Sequence, residues 1–296
     1  MRKQLFMRRA LLFVAGSLTA LLLAVPTGCT STRGIDLSAI SFSPEPLLGK
    51  IVWNDLITED LDAAQRFYGG LFGWTFESTS RGGRPYAIAR SNKAYVAGLV
   101  SIAPDHSREN LSRWLPYVSV SNVDAAVDRA TAAKAKVAVA PRDVPLGRVA
   151  AIVDPEGAVI GLARSHLGDP DDISTKAGVG RVIWTELIAN DPQAATEFYR
   201  AVFGYDVRVI DRRGGKYTLL VQQGVPRAGI LKNPTDGWSP LWLTYFGVDD
   251  PAAAASRAES LGGKILLPVS PEIREGTMAV VADPTGAVLV LQKVPT

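Results

Sequence analysis

The chain has 296 residues, a single cysteine and a formal net charge of +3. This length is enough for two ordinary domains, and one cysteine excludes an internal disulfide, so packing must stabilise the fold. The first 28 residues contain four basic and no acidic residues, which leaves a formal charge of −1 on the rest of the chain. That balance argues against a nucleic-acid surface built on lysine and arginine.

The N-terminal segment has the order of a secretory signal peptide. Basic residues precede an apolar stretch over 11–25, which is shorter than the roughly 20 residues of a spanning helix. Cys29 follows small residues and resembles the lipidated cysteine of bacterial lipoproteins, although Pro26 departs from the aliphatic residue usual there. The resemblance implies a signal peptide at 1–28 and a lipid on Cys29 that anchors the protein to a membrane of the bacterial cell envelope. The alternatives are ordinary cleavage and an uncleaved anchor.

Composition divides the remaining chain. Residues 29–47 are polar, contain Ser, Thr and Pro, and predict a flexible tether, while a Gly-, Asp- and Lys-containing break at 167–179 predicts a linker. The predicted domains are therefore 48–166 and 180–296. Thr30 stands where many inner-membrane lipoproteins have Asp, so the resemblance favours the outer membrane or the periplasmic face.

The two predicted domains are copies of one sequence pattern. Residues 49–73 recur at 180–204 in a register of 131, and the Asp-Pro-x-Gly-Ala hairpin at 154–158 returns at 283–287. A period this long indicates a duplicated domain, since solenoid repeats span roughly 20–50 residues. The identical positions of the first copy are Gly49, Trp53, Leu56, Ile57, Asp60, Ala63, Ala64, Phe67, Tyr68, Phe72 and Gly73.

Each copy predicts the same elements twice. In the first copy, a strand over 50–57 precedes a helix that Asp60 caps and Gly73 ends, and strands follow near residues 74, 86 and 95. A strand over 114–120, a helix capped by Asn122, and strands near residues 137, 147 and 158 repeat that order. The downstream copy follows from residue 181 onwards. Four βαβββ modules are predicted, two in each copy.

These features resemble the vicinal-oxygen-chelate superfamily, which includes glyoxalase I, bleomycin-resistance proteins and extradiol dioxygenases. The resemblance rests on the βαβββ order, the run at 67–74 with its Phe-Tyr and Phe-Gly-Trp, and the two Asp-Pro-x-Gly-Ala hairpins. It covers residues 49–294 and implies an α+β fold of two tandem domains. In each domain two modules form an open eight-stranded cup, with the ligand inside.

Metal-dependent members of this family hold a divalent ion in the cup with His and Glu side chains. The family's three ligand positions fall on Trp53, Tyr117 and Gly161 in the first copy and on Trp184, Tyr245 and Val290 in the second. Divalent transition metals require imidazole, carboxylate or thiolate ligands. The two histidines of the chain, His106 and His166, lie in predicted loops. The sequence therefore predicts cups without a metal ion or other cofactor.

Strand alternation places an acidic residue on the same face as each Trp, and the resemblance implies that this face points into the predicted cup. Aromatic rings beside a carboxylate suit a pocket for a small planar or cationic molecule. Tyr86 and Tyr217 are further candidates. Alternatively, the rings fill a closed cup and each acid is paired with Arg90, Arg148 or another arginine. The predicted ligand-binding residues are Trp53, Asp55, Tyr117, Trp184, Glu186 and Tyr245.

The resulting hypothesis is an exported, membrane-anchored protein that binds a small organic molecule in a metal-free cup. The alternative is a metal-independent, glyoxalase-like lyase or isomerase in which Asp55 or Glu186 acts as general base. Two further hypotheses are a metal-dependent enzyme and a protein-interaction module of the cell envelope whose cups are filled by side chains. Whether the domains pair within one chain or across a homodimer stays open.

Overall fold

The computed structural model describes residues 42–43, 45–92, 94–103, 111–172, 178–212, 215–234 and 238–294. The predicted signal peptide, Cys29, most of the predicted tether and His106 lie outside these residues. Over the described ranges, no helix combines the length and apolarity that crossing a membrane requires.

After a short strand β1 (Phe42–Ser43), the first copy contains two βαβββ modules. The first is β2 (Ile51–Thr58), α1 (Leu61–Phe72), β3 (Thr75–Arg81), β4 (Arg84–Ser91) and β5 (Ala94–Ser101). The second is β6 (Arg113–Ser119), α2 (Val123–Ala132), β7 (Lys136–Val144), β8 (Gly147–Val153) and β9 (Val159–Ser165). Strand β7 is longer than the short strand predicted near residue 137.

A two-residue strand, β10 (Asp169–Pro170), precedes the second copy. Its first module is β11 (Val182–Ala189), α3 (Pro192–Phe203), β12 (Asp206–Arg212), β13 (Gly215–Gln222) and β14 (Val225–Lys232). Its second is β15 (Leu241–Val248), α4 (Pro251–Ser260), β16 (Lys264–Leu267), a 3₁₀ turn (Arg274–Gly276), β17 (Met278–Ala282) and β18 (Val288–Lys293).

Each copy forms its own eight-stranded sheet. The orders are β3-β4-β5-β2-β6-β9-β8-β7 and β12-β13-β14-β11-β15-β18-β17-β16. The first strands of the two modules, β2 and β6, pair antiparallel at the centre, and each runs parallel to the last strand of its own module. The predicted α+β fold of two tandem eight-stranded domains is confirmed.

The helix boundaries follow from local chemistry repeated in both copies. Asp60 and Asp191 have extended backbones, and their carboxylates accept hydrogen bonds from the first backbone N–H groups of α1 and α3. Gly73 and Gly204 end these helices with φ values of 70° and 73°, a left-handed conformation that glycine adopts without a steric penalty.

The two copies share their hydrophobic cores. One core joins α2 of the first copy to α3 of the second, and the other joins α1 to α4. Within them, the Tyr68 hydroxyl donates to Asp283 at 3.0 Å and accepts from Trp114 Nε1, whereas Tyr199 donates to Asp154 at 2.9 Å. Burial raises the pKa of both aspartates. The hairpin of each copy is therefore hydrogen-bonded to a helix of the other copy.

The ends of the predicted tether and linker pack against each other. β1 pairs antiparallel with β10, and the Asp169 carboxylate accepts hydrogen bonds from the Leu47 backbone N–H at 2.7 Å and from Ser119 Oγ at 2.5 Å. Consequently, the part of the predicted flexible tether that the structure describes is held against the folded body.

Candidate ligand-binding cups

The positions that correspond to the family's metal ligands lie side by side across the centre of each sheet. Trp53 on β2 pairs with Tyr117 on β6, which pairs with Gly161 on β9. In the second sheet, Trp184, Tyr245 and Val290 form the same row. The register therefore brings together the positions that the resemblance singled out.

The side chains in these rows do not suit a divalent ion. Indole, phenol, glycine and valine supply no imidazole, carboxylate or thiolate, and each row has one acid nearby, Asp55 or Glu186. Within the described ranges, no group of three His, Cys, Asp or Glu side chains could hold a metal.

The two faces of each first strand, predicted as inner and outer, pack into different hydrophobic clusters. Trp53 and Ile57 contact the clusters that line the first cup, whereas Leu56 lies in a helix-covered core. In the second copy, Trp184 and Ile188 line the cup and Leu187 faces the helices. A period of two residues produces this division.

In the first cup, the carboxylate of Asp55 is fully buried and held by several donors. Trp53 Nε1 donates to Oδ1 at 2.8 Å, and the Tyr86 hydroxyl donates to the same oxygen at 2.9 Å. Arg81 Nη1 forms an ion pair with Oδ2 at 2.7 Å. A buried carboxylate without such partners would be strongly unfavourable.

Two tyrosines lie beneath the arginine of this ion pair. The Arg81 guanidinium is 5.5 Å from the ring centroid of Tyr86 and 5.9 Å from that of Tyr117. Burial, followed by the negative charge of Asp55, raises the pKa values of both tyrosines. They are therefore protonated at neutral pH and act as hydrogen-bond donors.

The second cup contains the same chemistry with a longer acid. Glu186 is fully buried, and the hydroxyls of Tyr217 and Tyr245 donate to its two oxygens at 2.5 Å each. Arg274 forms an ion pair with it. Trp184 Nε1 donates to the Tyr217 hydroxyl at 2.8 Å and so reaches the carboxylate indirectly.

The backbone that carries Arg274 is unusual. Arg274, Glu275 and Gly276 have φ values of 46°, 57° and 74°. Two non-glycine residues in the left-handed region cost free energy and persist where surrounding contacts enforce them. Here the turn brings Arg274 to the buried acid.

A second arginine lies near a tyrosine of each cup. Arg212, the counterpart of Arg81 in the register of 131, lies 3.7 Å above the ring of Tyr217. In the first cup, the positive charge of Arg142 on β7 acts on Tyr117. In the second cup, one carboxylate and two guanidinium groups therefore give a local charge of +1. Asp55 pairs with Arg81, from the first module of its copy, whereas Glu186 pairs with Arg274, from the second module of its copy.

Two strand glycines make room for these contacts. Gly98 pairs with Asp55 across β5 and β2, and Gly229 pairs with Glu186 across β14 and β11. A Cβ at Gly98 would lie 1.8 Å from the Tyr86 hydroxyl, and one at Gly229 would lie 1.9 Å from that of Tyr217. Only glycine lets each tyrosine pass beneath the strand to the acid.

The sequence analysis allowed for acids paired with Arg90, Arg148 or another arginine, and in each cup the partner is another arginine, Arg81 or Arg274. Arg90 pairs with Glu77, and Arg148 pairs with Asp124 and Asp143 at the surface. Arg81, Arg274, Gly98 and Gly229 were missed. The matched Arg81–Arg212 and Gly98–Gly229 pairs were visible in the duplication, and a glycine inside a strand often marks a close approach.

The acids therefore do not offer a free negative charge to a ligand, because arginine already neutralises each one. The four tyrosines are at most 8% exposed, so the accessible groups are the half-buried indoles of Trp53 and Trp184 and the guanidinium donors. The side chains of Arg81 and Arg274 are 18% and 28% exposed. This arrangement suits a planar molecule with an acidic or acceptor group better than a cation.

Comparison with known proteins identifies the chain's relatives. The model of the Glyoxalase/Bleomycin resistance protein/Dioxygenase superfamily matches residues 50–162 and 181–291. The Mycobacterium tuberculosis protein named "Putative glyoxylase CFP32" is 33% identical over 247 residues, covering 81% of this chain and 93% of that protein. The Streptomyces sp. (strain C5) protein named "Anthracycline biosynthesis protein DauV" is 31% identical over 255 residues, covering 81% and 91%.

A solved structure shares the fold. The Mn(II)-bound glyoxalase from Novosphingobium aromaticivorans superposes with a TM-score of 0.53 at 17% identity, covering 83% of this chain and 82% of that one. Together with the two matched repeats, this likeness accounts for both eight-stranded sheets. The chain belongs to the Glyoxalase/Bleomycin resistance protein/Dioxygenase superfamily.

Proposed function

We propose that this protein is an exported, lipid-anchored binding protein that holds a planar organic acid in one or both cups without a resident metal ion. The observation that carries the proposal is the repeated cup floor, in which Trp and Tyr occupy the family's ligand positions. In both cups these rings surround a carboxylate that an arginine already neutralises.

The arginines support an acidic ligand. Among the described residues, Arg142 and Arg212 form no ion pair and are exposed, while the paired Arg81 and Arg274 retain further N–H donors. A guanidinium group binds a planar carboxylate with two parallel hydrogen bonds. The rings of the cup would then stack on the flat body of the ligand.

The relatives support a polycyclic ligand. Two Streptomyces proteins at 30–31% identity carry names that place them in anthracycline biosynthesis. A fused aromatic ring system matches the chemistry of a floor built from Trp53, Tyr86 and Tyr117. An anthraquinone bearing a carboxylate therefore serves as the test ligand.

The proposed ligand should bind more tightly as an acid than as its uncharged amide. We expect anthraquinone-2-carboxylate to bind at least about tenfold more tightly than anthraquinone-2-carboxamide, which corresponds to about 1.4 kcal/mol. Arg142→Gln, for the first cup, or Arg212→Gln, for the second, should remove this preference while leaving carboxamide binding unchanged. Isothermal titration calorimetry measures both affinities.

Arg148→Gln is the matched control, because Arg148 pairs with Asp124 on α2, outside the cup. It should bind both anthraquinones like the parent protein. Equal affinity for the acid and the amide, or binding that survives Trp53→Leu and Trp184→Leu together, would contradict the proposal. A stoichiometric metal ion in the purified protein, required for binding, would contradict the metal-free part.

The alternative enzyme would use Asp55 or Glu186 as general base. Both acids are fully buried and ion-paired, so neither carboxylate is exposed to a substrate in its cup. Incubation with the hemithioacetal of methylglyoxal and glutathione separates the two functions. Turnover that is lost in Asp55→Asn or Glu186→Gln, with the fold retained, would favour the enzyme.

The envelope location rests on the sequence pattern around Cys29. In a bacterial host, the parent protein should incorporate labelled palmitate and sediment with the membranes, because acyl chains anchor a protein to a bilayer. Cys29→Ser should lose the label. A Cys29→Ser protein that keeps both the label and the membrane association would show that another residue supplies the anchor.

A further inference from the structure

A cavity lined in part by Trp53 and Trp184, the tryptophans of the two cups, lies between the first strands of the two copies. Its volume is about 240 Å³. Seven lining residues of the first copy, including Lys50, Asn54 and Val96, have counterparts 131 positions later that also line it. Because equivalent residues from both copies surround it, the cavity lies on the axis that relates the two domains.

The lining carries an excess of positive charge. Lys50, Arg181 and Arg227 contribute three basic groups, and Asp172 contributes one acidic group. Arg227 Nη1 contacts both carboxylate oxygens of Asp172 at 2.8 and 3.0 Å, and Lys50 Nζ contacts one of them at 3.1 Å. The local charge of +2 favours an anion.

Two buried polar atoms of the lining have no hydrogen-bond partner. They are Nε of Arg227, a donor, and Oδ1 of Asn54, an acceptor. Arg227 and Asn54 are only 9% and 5% exposed. Leaving such atoms unpaired is costly, and native structures pair nearly all of them, so each one calls for a partner.

These two atoms also break the symmetry of the cavity. The counterpart of Arg227 in the first copy is Val96, and the counterpart of Asn54 in the second is Thr185. An unpaired donor of a basic group and an unpaired acceptor within one cavity together fit a molecule with an anionic group and a hydroxyl.

We propose that the cavity between the copies binds a small hydroxycarboxylic acid. Its carboxylate would accept from Arg227, and its hydroxyl would donate to Oδ1 of Asn54. The cavity is below the roughly 300–1,000 Å³ typical of drug-sized ligands, which restricts the occupant to a few heavy atoms. The two polar atoms that carry this proposal, Nε of Arg227 and Oδ1 of Asn54, do not belong to the cup floors, although Trp53 and Trp184 line both this cavity and the cups.

The test compares L-malate with succinate, which lacks the hydroxyl, using the full chain purified in detergent. We expect malate to raise the melting temperature and to bind at least tenfold more tightly than succinate, because a ligand that binds the folded state stabilises it. Asn54→Thr should remove the preference for malate. Arg227→Val should remove binding of both acids.

Each substitution introduces the residue that the other copy has at the equivalent position. Arg208→Gln, on the exposed face of β12, is the charge-matched control and should bind malate normally. Should Arg227→Val fail to fold, Asn54→Thr still decides the outcome. Equal binding of malate and succinate, no binding of either, or equally tight binding of inorganic phosphate through Arg227 would overturn the proposal.

Discussion

Replacement of Arg81 by methionine is expected to destabilise the protein by about 3–5 kcal/mol, the range for leaving one partner of a buried ion pair uncompensated. Asp55 has no exposed surface, so its carboxylate cannot recover solvation when Arg81 is removed. The Trp53 and Tyr86 hydrogen bonds remain, but they do not replace a full positive charge. The free energy of unfolding from urea denaturation measures the loss.

The double variant Asp55→Leu with Arg81→Met should be much closer to the parent protein in stability. Removing both charges eliminates the uncompensated carboxylate, and replacing a buried pair by apolar residues is often neutral or stabilising. A double-mutant cycle therefore gives a large coupling free energy between residues 55 and 81. If Arg81→Met lowered the free energy of unfolding no more than the double variant does, the ion pair would have no such role.

The second copy supplies a matched repeat of this experiment. Arg274→Met should destabilise strongly because Glu186 is equally buried, whereas Arg212→Met should not, since Arg212 stacks on Tyr217 without an ion pair to the acid. The exposed Arg148 is the control for loss of an arginine. Its pair with Asp124 is open to solvent, so Arg148→Met should have a small effect.

The fold was predictable because the duplication repeated every local signal. Asp60 and Asp191 mark the same helix start, and Gly73 and Gly204 mark the same end. The shared face of Trp53 and Asp55, and that of Trp184 and Glu186, followed from the period of a strand, while the resemblance supplied the direction of that face. Such local patterns require no knowledge of which distant elements meet.

The partners of the acids were not predictable in the same way. Arg81 and Arg274 reach the carboxylates only because each sheet curls until its outer elements approach the cup floor, a property of the whole sheet. Moreover, Asp55 and Glu186 differ by one methylene, and the two acids pair with arginines from different modules. Sequence equivalence between Arg81 and Arg212 therefore did not extend to equivalent pairing.

The hydrogen bonds that join a helix of one copy to a hairpin of the other could also not be predicted from the sequence. Tyr68 and Tyr199 match in the duplication, but that match gave no indication of their partners. Their hydroxyls bind the hairpin aspartates of the opposite copy, Asp283 and Asp154. A tyrosine at a core position does not reveal which buried acceptor its hydroxyl will meet.

Gly98→Ala is expected to disrupt the first cup floor from within the sheet. The added Cβ would lie 1.8 Å from the Tyr86 hydroxyl and 2.2 Å from Oδ1 of Asp55, so Tyr86 must withdraw. Overpacking costs about 1–3 kcal/mol, and the lost hydrogen bond to a charged acceptor adds about 1.5–3 kcal/mol. Urea denaturation should show this loss, and ligand binding in the first cup should weaken with it.

Gly229→Ala distinguishes a clash with the tyrosine from a clash with the acid. The three atoms nearest to a Cβ at Gly229 all belong to Tyr217, whereas the three nearest at Gly98 include Oδ1 of Asp55. In a Tyr217→Leu background, Gly229→Ala should therefore cost little, while Gly98→Ala should remain costly in a Tyr86→Leu background. If both alanines were tolerated without a change in stability or binding, the tyrosine–carboxylate contacts would not be what requires glycine in these strands. Comparing the stabilities of the two double variants shows whether glycine leaves space for the tyrosine hydroxyl alone, as at Gly229, or also for the shorter acid Asp55, as at Gly98.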